Sequence, residues 1–458
     1  MKNILKNKYT ILYLVGFVIF YLIWAINNYD VQPDSEMYIQ MGRGIFEQFT
    51  FGYRGKGGEF VPMAFRMPLA PFIMGIIYSI TRNNQLTYFF YTLFQVFLIP
   101  ALPCLAYYFG SRINKIIGFG AYGLMLVHGN LAACTIMVLT DIIFAVFSGF
   151  TFVFLWKALK RNRGKLFFIT GLLSGVSCMT RPIMKLYYLT TALLSFAFYS
   201  RFKPILKNFG LYLTGFFLIV SPWLIRNYIH YGHPVMETNQ GLNLIWTNGY
   251  LVEIKDNDSP ETRELKRLIL DNLKSPVMVL LYKGWQYWLE HDYEISKKLQ
   301  KIALETYLEH PIEILKNWRK NYIGMSVSQV HYGFMYNKMI TRPLYWKLKK
   351  SSPLKPDDFK RKYFHLYCEL NRLMRWLYMI AAPFGLLILL WKQTKLGIFF
   401  GVHIFYFTGL TAFVAGYDRY RLNIEIFNTV LIVYALYSII YFIVYLLKKV
   451  IRKSESHP

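Results

Sequence analysis

The chain has 458 residues, of which 55% are hydrophobic and 19% aromatic, and its mean hydropathy is +0.29. Soluble domains are about 45–50% apolar, so this excess excludes an ordinary soluble protein. The formal charge of +27 would suggest a nucleic-acid partner in a soluble chain. Here Lys and Arg lie mostly in short segments between apolar blocks, which is typical of the loops of a membrane protein.

Ten apolar blocks are long enough to cross a hydrocarbon core, which takes about 20 helical residues. They lie near residues 9–28, 86–109, 116–134, 137–156, 166–181, 183–200, 207–225, 373–391, 396–415 and 422–447. We therefore predict an all-α integral membrane protein with about ten transmembrane helices, in a range of about 9 to 13.

The first block follows a basic segment, as in a signal peptide. It is too long for one and no small-residue cleavage site follows, so we expect an uncleaved span.

Ten spans place both termini on one side, and most basic loops fall on that same side, which the positive-inside rule identifies as the cytoplasm. The apolar run 67–80 is too short to span and is placed on the outer surface as an interfacial or re-entrant segment. The expected organisation is an N-terminal module at residues 1–225 with a first external loop at 29–85, a large external loop at 226–372, and C-terminal helices at 373–458. Amphipathic patterns at 295–307 and 312–322 suit interfacial helices.

Three acidic residues stand out at predicted membrane surfaces. Asp34 and Glu36 follow the first span, where Asp34 could act as a general base or metal ligand and Glu36 could assist. A helix cap in a solvated loop would explain the same carboxylates. Asp141 interrupts an apolar block, and an ionisable group there is a functional candidate by default. A structural ion pair is the alternative for Asp141.

Four arginines lie at the predicted outer ends of spans or beside the interfacial run: Arg66, Arg181, Arg226 and Arg419. The planar guanidinium can hold a phosphate with two parallel hydrogen bonds. Arg66 could instead be an anchor at the membrane surface. If the topology is right, cations and carboxylates converge on one face, as stabilisation of a lipid-linked phosphate leaving group requires.

Seven sequence boxes, taken in order, resemble the GT-C superfamily of membrane glycosyltransferases, in the branch of protein O-mannosyltransferases and the lipid A aminoarabinose transferase. The boxes are PDSEMY, FRMPLAP, LTDIIF, MTRP, SPWLIRNYIHYGHPV, TNQGLNLIWTNG and YDRYRLNIE. The chain departs from the family where Asn423 and Ile424 replace a frequent proline, and where Met67 separates Arg66 from Pro68.

The resemblance implies an inverting hexosyl- or pentosyltransferase that uses a polyprenyl-phosphate-linked sugar. The acceptor would be a lipid, a glycan or a protein, and the active site would face outside the cytoplasm from a bacterial inner membrane. No nucleic acid is expected as a partner.

The resemblance also implies roles for individual residues. Asp34 would be the base or a metal-associated residue, Arg66 would contact the carrier phosphate and Asp141 would support the site. Arg181, Arg226 and Arg419 become candidates for phosphate or sugar contacts. Residues assigned to substrate binding are Tyr38, Asn239 and Asn243. No cofactor is certain, and a divalent cation, Mg²⁺ or Mn²⁺, held by Asp34 and Asp141 is the one considered.

Two other functions remain open: a polysaccharide polymerase or ligase, and a lipid-linked sugar flippase or transporter. A transporter would show repeated halves and ionisable residues near mid-membrane. No Walker A loop or hydrolase nucleophile elbow is present in the sequence, so neither a nucleotide-driven pump nor an α/β hydrolase is expected.

The four cysteines and the histidines show no metal-site spacing, and we predict neither a disulfide framework nor a zinc site. Three tryptophans could line a sugar cleft or form an interfacial belt: Trp246, Trp285 and Trp288.

Overall fold

A computed structural model describes residues 7–273, 279, 282–327, 373, 376–414 and 418–455. The first half is helical apart from one hairpin, in which Gly52–Arg54 (β1) pairs antiparallel with Phe60–Pro62 (β2). Its helices are Lys8–Asn27 (α1), Pro33–Gln48 (α2), Leu69–Thr81 (α3), Asn84–Leu98 (α4), Ala101–Gly110 (α5), Lys115–Leu126 (α6), Gly129–Ile136 (α7), Asp141–Arg161 (α8), Gly164–Cys178 (α9), Tyr187–Phe198 (α10) and Phe202–Tyr231 (α11).

The second half is also helical. It contains Gln240–Ile245 (α12), Pro260–Asp271 (α13), Trp285–Glu290 (α14), Asp292–Glu309 (α15), Pro311–Val327 (α16), Ala382–Lys392 (α17), Thr394–Thr411 (α18) and Glu425–Glu455 (α19). Short 3-10 segments occur at Pro182–Leu186, Gly249–Leu251 and Asp418–Ile424, and a π-helical turn at Leu377–Ala381 leads into α17. The all-α prediction is confirmed for the described residues.

Several of these helices are long and apolar enough to cross a membrane. Within the described ranges five pass that test by length and composition, namely α1, Asn84–Gly110, α8, α11 and Arg419–Arg452, and the pair α6 and α7, bent by 46°, would make a sixth. Shorter apolar helices are Leu69–Thr81, Gly164–Cys178, Pro182–Phe198 and Leu377–Lys392. Each predicted block therefore coincides with a helix, although some are shorter than expected. The chain is a multi-pass membrane protein.

Small residues allow the apolar helices to approach closely, because helices in lipid associate through backbone packing rather than hydrophobic burial. A Cβ added at Gly171 of α9 would lie 2.0 Å from the carbonyl oxygen of Tyr212 in α11. A Cβ at Gly215 would lie 2.3 Å from the carbonyl oxygen of Phe168. The glycines thus set the contact between α9 and α11.

The segment predicted to be interfacial, residues 67–80, forms α3, which packs between α2 and α4. The two amphipathic patterns form α15 and α16, so both predicted helices are confirmed. Helix α16 covers the end of α18: Trp318 Nε1 donates to the Gly409 carbonyl at 2.8 Å, and the Asn321 amide donates to the Ala412 carbonyl at 2.9 Å. Loop helices are therefore attached directly to one end of the bundle.

Candidate active site

Asp34 lies in the first turn of α2, immediately after Pro33. Proline at this position costs no hydrogen bond, because the first amides of a helix have no intrahelical partner. Gln32 and Ser35 form a reciprocal cap, so Asp34 is not needed as the cap residue. Its Oδ1 instead pairs with Arg66 Nη2 at 2.7 Å, and its side chain remains 37% exposed. The carboxylate is thus both fixed and reachable.

Arg66 follows β2 and precedes α3. Its guanidinium carbon lies 4.7 Å from the centre of the Phe65 ring. Its Nε is buried and has no hydrogen-bond partner among the described residues, so one N–H donor of the guanidinium group remains available. The amide of Leu69 donates to the Met179 carbonyl at 3.0 Å, which ties this segment to the end of α9.

A second ion pair lies beside the first. Asp141 is the first residue of α8, is 3% exposed, and pairs with Arg181 Nη2 at 2.7 Å. Arg181 Nε also donates to Thr140 Oγ1 at 3.2 Å. Residues of the LTDIIF and MTRP boxes are therefore in direct contact. The structural ion pair considered for Asp141 is present.

Backbone hydrogen bonds connect the segments that carry the two carboxylates. The amide of Asp30 donates to the Ile136 carbonyl at 2.8 Å, and the amide of Val138 donates to the Asp30 carbonyl at 3.0 Å. Ser35 Oγ donates to the Val138 carbonyl at 2.7 Å. Asp34 and Asp141, distant in sequence, are held near each other because each follows one side of this bridge by a few residues.

Arg419 reaches the Asp141–Arg181 pair through Tyr420 and acts on Asp34 by its charge. The Tyr420 ring centre lies 5.1 Å from the guanidinium carbon of Arg419 and 5.4 Å from that of Arg181. The pKa of Asp34 is held below its ordinary value, chiefly by Arg66, although burial acts against this. Arg419 and Arg181 lower it further. Three arginines thus act on one carboxylate, while Tyr417, the first residue of the YDRYRLNIE box, lies outside the described ranges.

Arg226 makes its described hydrogen bonds with neighbouring loops and with the adjacent Asn227. Its Nη2 donates to the Phe51 carbonyl at 2.6 Å, and its Nη1 donates to the Met63 carbonyl at 3.2 Å and to the neighbouring Asn227 side chain at 2.8 Å. These contacts hold the first external loop against the end of α11. The structure gives Arg226 a structural task, and its contact with a donor phosphate stays a prediction.

The remaining predicted residues divide between the site and its surroundings. Tyr38, one turn after Asp34, is buried, and burial with the nearby Asp34 charge raises its pKa to about 12. Glu36 accepts hydrogen bonds from Tyr88 at 3.0 Å and Gln40 at 2.7 Å instead of joining the arginines.

Both candidate asparagines lie at α12. Asn239 is buried just before the helix, and the amide of Asn243 in its first turn donates to the Asn239 carbonyl at 3.1 Å. The described contacts of these two residues leave their predicted role in substrate binding a prediction.

Two residues near the site were not predicted. Burial raises the pKa of Glu237 to about 7, although Lys185 and Arg66 act to lower it. Lys185 Nζ donates to Gln240 Oε1 at 2.9 Å. The sequence signal for Lys185 was its place four residues after Arg181, just beyond the MTRP box. Glu237 had no comparable signal, because it directly precedes a box rather than interrupting an apolar block.

The residues considered for a divalent cation do not suit one. Asp34 and Asp141 each direct an oxygen to a guanidinium, and Arg419 acts on both. A divalent cation between them would lie among three like charges, which opposes binding. Elsewhere in the described residues, Glu253, Glu309 and His310 lie close enough to share an ion, but Glu309 is already paired with Lys255 and both carboxylates are exposed.

Comparison with known proteins gives one family match. A model of the family described as dolichyl-phosphate-mannose-protein mannosyltransferase matches residues 63–225, which contain Arg66, Asp141 and Arg181. No curated protein matches the sequence. Among solved structures, ArnT from Cupriavidus metallidurans bound to undecaprenyl phosphate aligns with a TM-score of 0.39 and 10% identity, covering 91% of this chain and 77% of that one. The apo state of the same protein aligns with a TM-score of 0.38 and 11% identity over the same shares. The family match confirms, for residues 63–225, the resemblance to membrane glycosyltransferases that the sequence boxes indicated.

Proposed function

We propose that this protein is a glycosyltransferase that moves a sugar from a polyprenyl-phosphate carrier to an acceptor at the outer face of the membrane. The observation that carries the proposal is the paired arrangement of Asp34 with Arg66 and Asp141 with Arg181, with Arg419 acting on both carboxylates. A phosphate is the ligand whose charge such an excess of guanidinium groups would balance. The family match supports a lipid-phosphate sugar donor.

The proposed reaction is a single displacement at the anomeric carbon, which inverts its configuration. The acceptor oxygen or nitrogen forms a bond to this carbon while the bond to the carrier phosphate oxygen breaks. Asp34 receives the acceptor proton, and the polyprenyl phosphate leaves with the bonding electron pair. Arg66, with its buried donor, and Arg181 and Arg419 would stabilise the negative charge that grows on the leaving phosphate.

The charge arrangement also explains how Asp34 could become a base only when donor is present. In the free protein Arg66 keeps the pKa of Asp34 low, so the carboxylate holds a proton poorly. A bound phosphate would neutralise part of the arginine charge and add a negative charge of its own. Both effects raise the pKa of a neighbouring carboxylate. Asp34 would therefore become more basic in the donor complex.

The test compares sugar transfer by wild-type protein with transfer by Asp34→Asn. Purified protein is incubated with labelled polyprenyl-phosphate sugars and membrane extracts as a source of acceptor. We expect Asp34→Asn to bind carrier but to transfer at a rate lower by about 100-fold or more, the scale of a lost general base. Because no cation is used in the proposed step, a chelator should leave the wild-type rate unchanged.

Glu47→Gln is the matched control, since it removes the same charge from the other end of α2. Among the described residues Glu47 pairs with Arg43 and Arg54, which belong to neither of the two ion pairs of the candidate site, so little change in the transfer rate is expected. An Asp34→Asn rate equal to that of Glu47→Gln would remove Asp34 from the mechanism. Label incorporated into long chains rather than single additions would favour a polymerase instead.

A further inference from the structure

A basic cavity of about 760 Å³ lies away from the candidate active site. Three distant parts of the chain form it: the end of α5, the last turns of α8, and the turn between α17 and α18. Five cations line it: Arg112, Lys157, Lys160, Arg161 and Lys395. Tyr108 and Trp156 supply aromatic rings.

The cavity lies at the membrane face opposite the candidate active site. Helix α8 begins at Asp141, in the site, and ends at Arg161, in the cavity wall. Twenty residues of helical rise span about 30 Å, the thickness of the hydrocarbon core. Because α8 is apolar enough to cross a membrane, its two ends lie at the two surfaces.

The cations of the cavity have no compensating carboxylates. The cavity lining contains no acidic residue, and within the described part of the chain none of the five cations forms an ion pair. Cytoplasmic lysines and arginines are common in membrane proteins as a topology signal. The topology signal depends only on how many lysines and arginines each loop carries. It does not require that cations from three segments lie on one concave surface.

Aromatic rings hold several of these cations in place. The guanidinium carbon of Arg112 lies 4.5 Å from the Tyr108 ring centre, and Lys160 Nζ lies 5.2 Å from that of Trp156. Lys395 Nζ lies 5.3 Å from the ring centre of Phe198. A cation held over a ring face by the charge of the ring can still donate hydrogen bonds, so the lysine ammonium groups can donate to an anion.

We propose that this basic cavity binds a phosphate-bearing anion. Its volume falls in the range of ligand sites, about 300–1,000 Å³, and exceeds what a single ion needs. Its depth at the end of a membrane-spanning helix, with Trp156 and Tyr108 in the wall, is the depth at which lipid headgroups lie. The shared chemistry is a phosphate group, supplied either by an anionic lipid headgroup or by free phosphate in solution.

The experiment measures lipid binding to the full-length protein by native mass spectrometry. Protein purified in detergent is titrated with phosphatidylglycerol or with phosphatidylcholine. Wild-type protein should retain phosphatidylglycerol in preference to phosphatidylcholine. The double variant Lys160→Gln/Lys395→Gln should bind phosphatidylglycerol about tenfold more weakly, because two charge-assisted contacts are lost.

Lys448→Gln/Lys449→Gln is the matched control, since both lysines are exposed near the end of α19 and carry the same charge. Competition with inorganic phosphate separates the two sources: displacement of the lipid by phosphate assigns the cavity to the free anion, and retention assigns it to the headgroup. Either result supports an anion site. Equal retention of the two lipids, or equal weakening in the cavity and control variants, would overturn it. Transfer activity plays no part in the readout, so the result is independent of the proposed function.

Discussion

Asp34 and Asp141 are both paired with arginine but differ sharply in exposure, 37% against 3% for the side chains. Only Asp34 leaves room for an acceptor group to approach its oxygens. Asp141 is enclosed, and its contact with Arg181 fixes the direction of that guanidinium. In the proposed reaction Asp34 is therefore the better candidate for the base, and Asp141 for a residue that positions Arg181.

The buried pair gives a prediction about stability. Arg181→Gln should lower the free energy of unfolding by about 3 kcal/mol, because it leaves the enclosed Asp141 carboxylate without its paired cation. Unfolding in detergent by denaturant measures this change. The double variant Arg181→Gln/Asp141→Asn should recover part of the loss, since both charges are removed together. A double variant that loses the sum of the two single effects would show that the pair is not coupled.

Glu237 gives a prediction about pH. Its pKa of about 7 means that it is neutral below this pH and charged above it. The charged form places a negative group near Arg66, where it competes with the donor phosphate. We expect the KM for donor to rise roughly threefold as the pH increases from about 6 to about 8. Steady-state kinetics across this range measures the effect.

The variant Glu237→Gln removes the group that titrates and should flatten this part of the profile. A rise in KM of the same size in Glu237→Gln would assign the pH dependence to another group, such as the donor phosphate itself.

At the scale of secondary-structure elements, the distance between Asp34 and Arg66 depends on how closely α2 approaches α3. A Cβ added at Gly42 of α2 would lie 2.3 Å from the Pro71 carbonyl oxygen, and one added at Gly75 of α3 would lie 2.5 Å from the Gly42 carbonyl oxygen. Only glycine permits this backbone contact. The two helices carry or directly follow the two members of the ion pair, so their spacing is transmitted to the site.

Gly42→Ala should therefore impair activity more than stability. The methyl group forces α2 and α3 apart, which costs about 1–3 kcal/mol as overpacking. A displacement near 1 Å at the site would reduce transfer by about 100-fold. Parallel measurement of unfolding and of transfer rate tests this. Gly123→Ala in α6 is the control, because an added Cβ there meets nothing within 4 Å; equal activity in the two variants would show that the spacing is unimportant.

At the scale of the whole molecule, the chain places its two charged regions at opposite ends of the helical bundle. The candidate active site combines arginines with carboxylates, whereas the basic cavity contains cations alone. The positive-inside rule assigns the purely basic end to the cytoplasm. Under this assignment we expect the candidate active site to face outward.

Cysteine labelling tests this orientation. In a cysteine-free background, Lys56→Cys lies in the exposed β-hairpin turn and Lys165→Cys in the exposed first turn of α9. A membrane-impermeant maleimide should label Lys56→Cys in intact cells and Lys165→Cys only after permeabilisation. The reverse pattern would place the candidate active site in the cytoplasm and contradict the proposed outward-facing reaction.

Sequence boxes anticipated much of the site but not the partners of each residue. Asp34, Arg66, Asp141, Arg181 and Arg419 were all singled out, and all of them act on the same cluster. Arg226 was grouped with them because it lies at the end of a predicted span, yet it bonds to loop carbonyls. A linear pattern gives the depth of a side chain in the membrane, and it does not give the direction in which the side chain points.

The sequence by itself determined that this protein lies in a membrane and is helical there. In lipid, runs of apolar residues can satisfy their backbone hydrogen bonds only as helices. It also placed the charged residues at helix ends, since charges within lipid are costly. The tertiary structure alone decided which charges meet. The pairing of Asp34 with Arg66 depends on the close approach of two helices at glycines. The surroundings of Glu237 and the gathering of five cations around one cavity depend on contacts between segments distant in sequence. Local sequence does not encode either kind of contact.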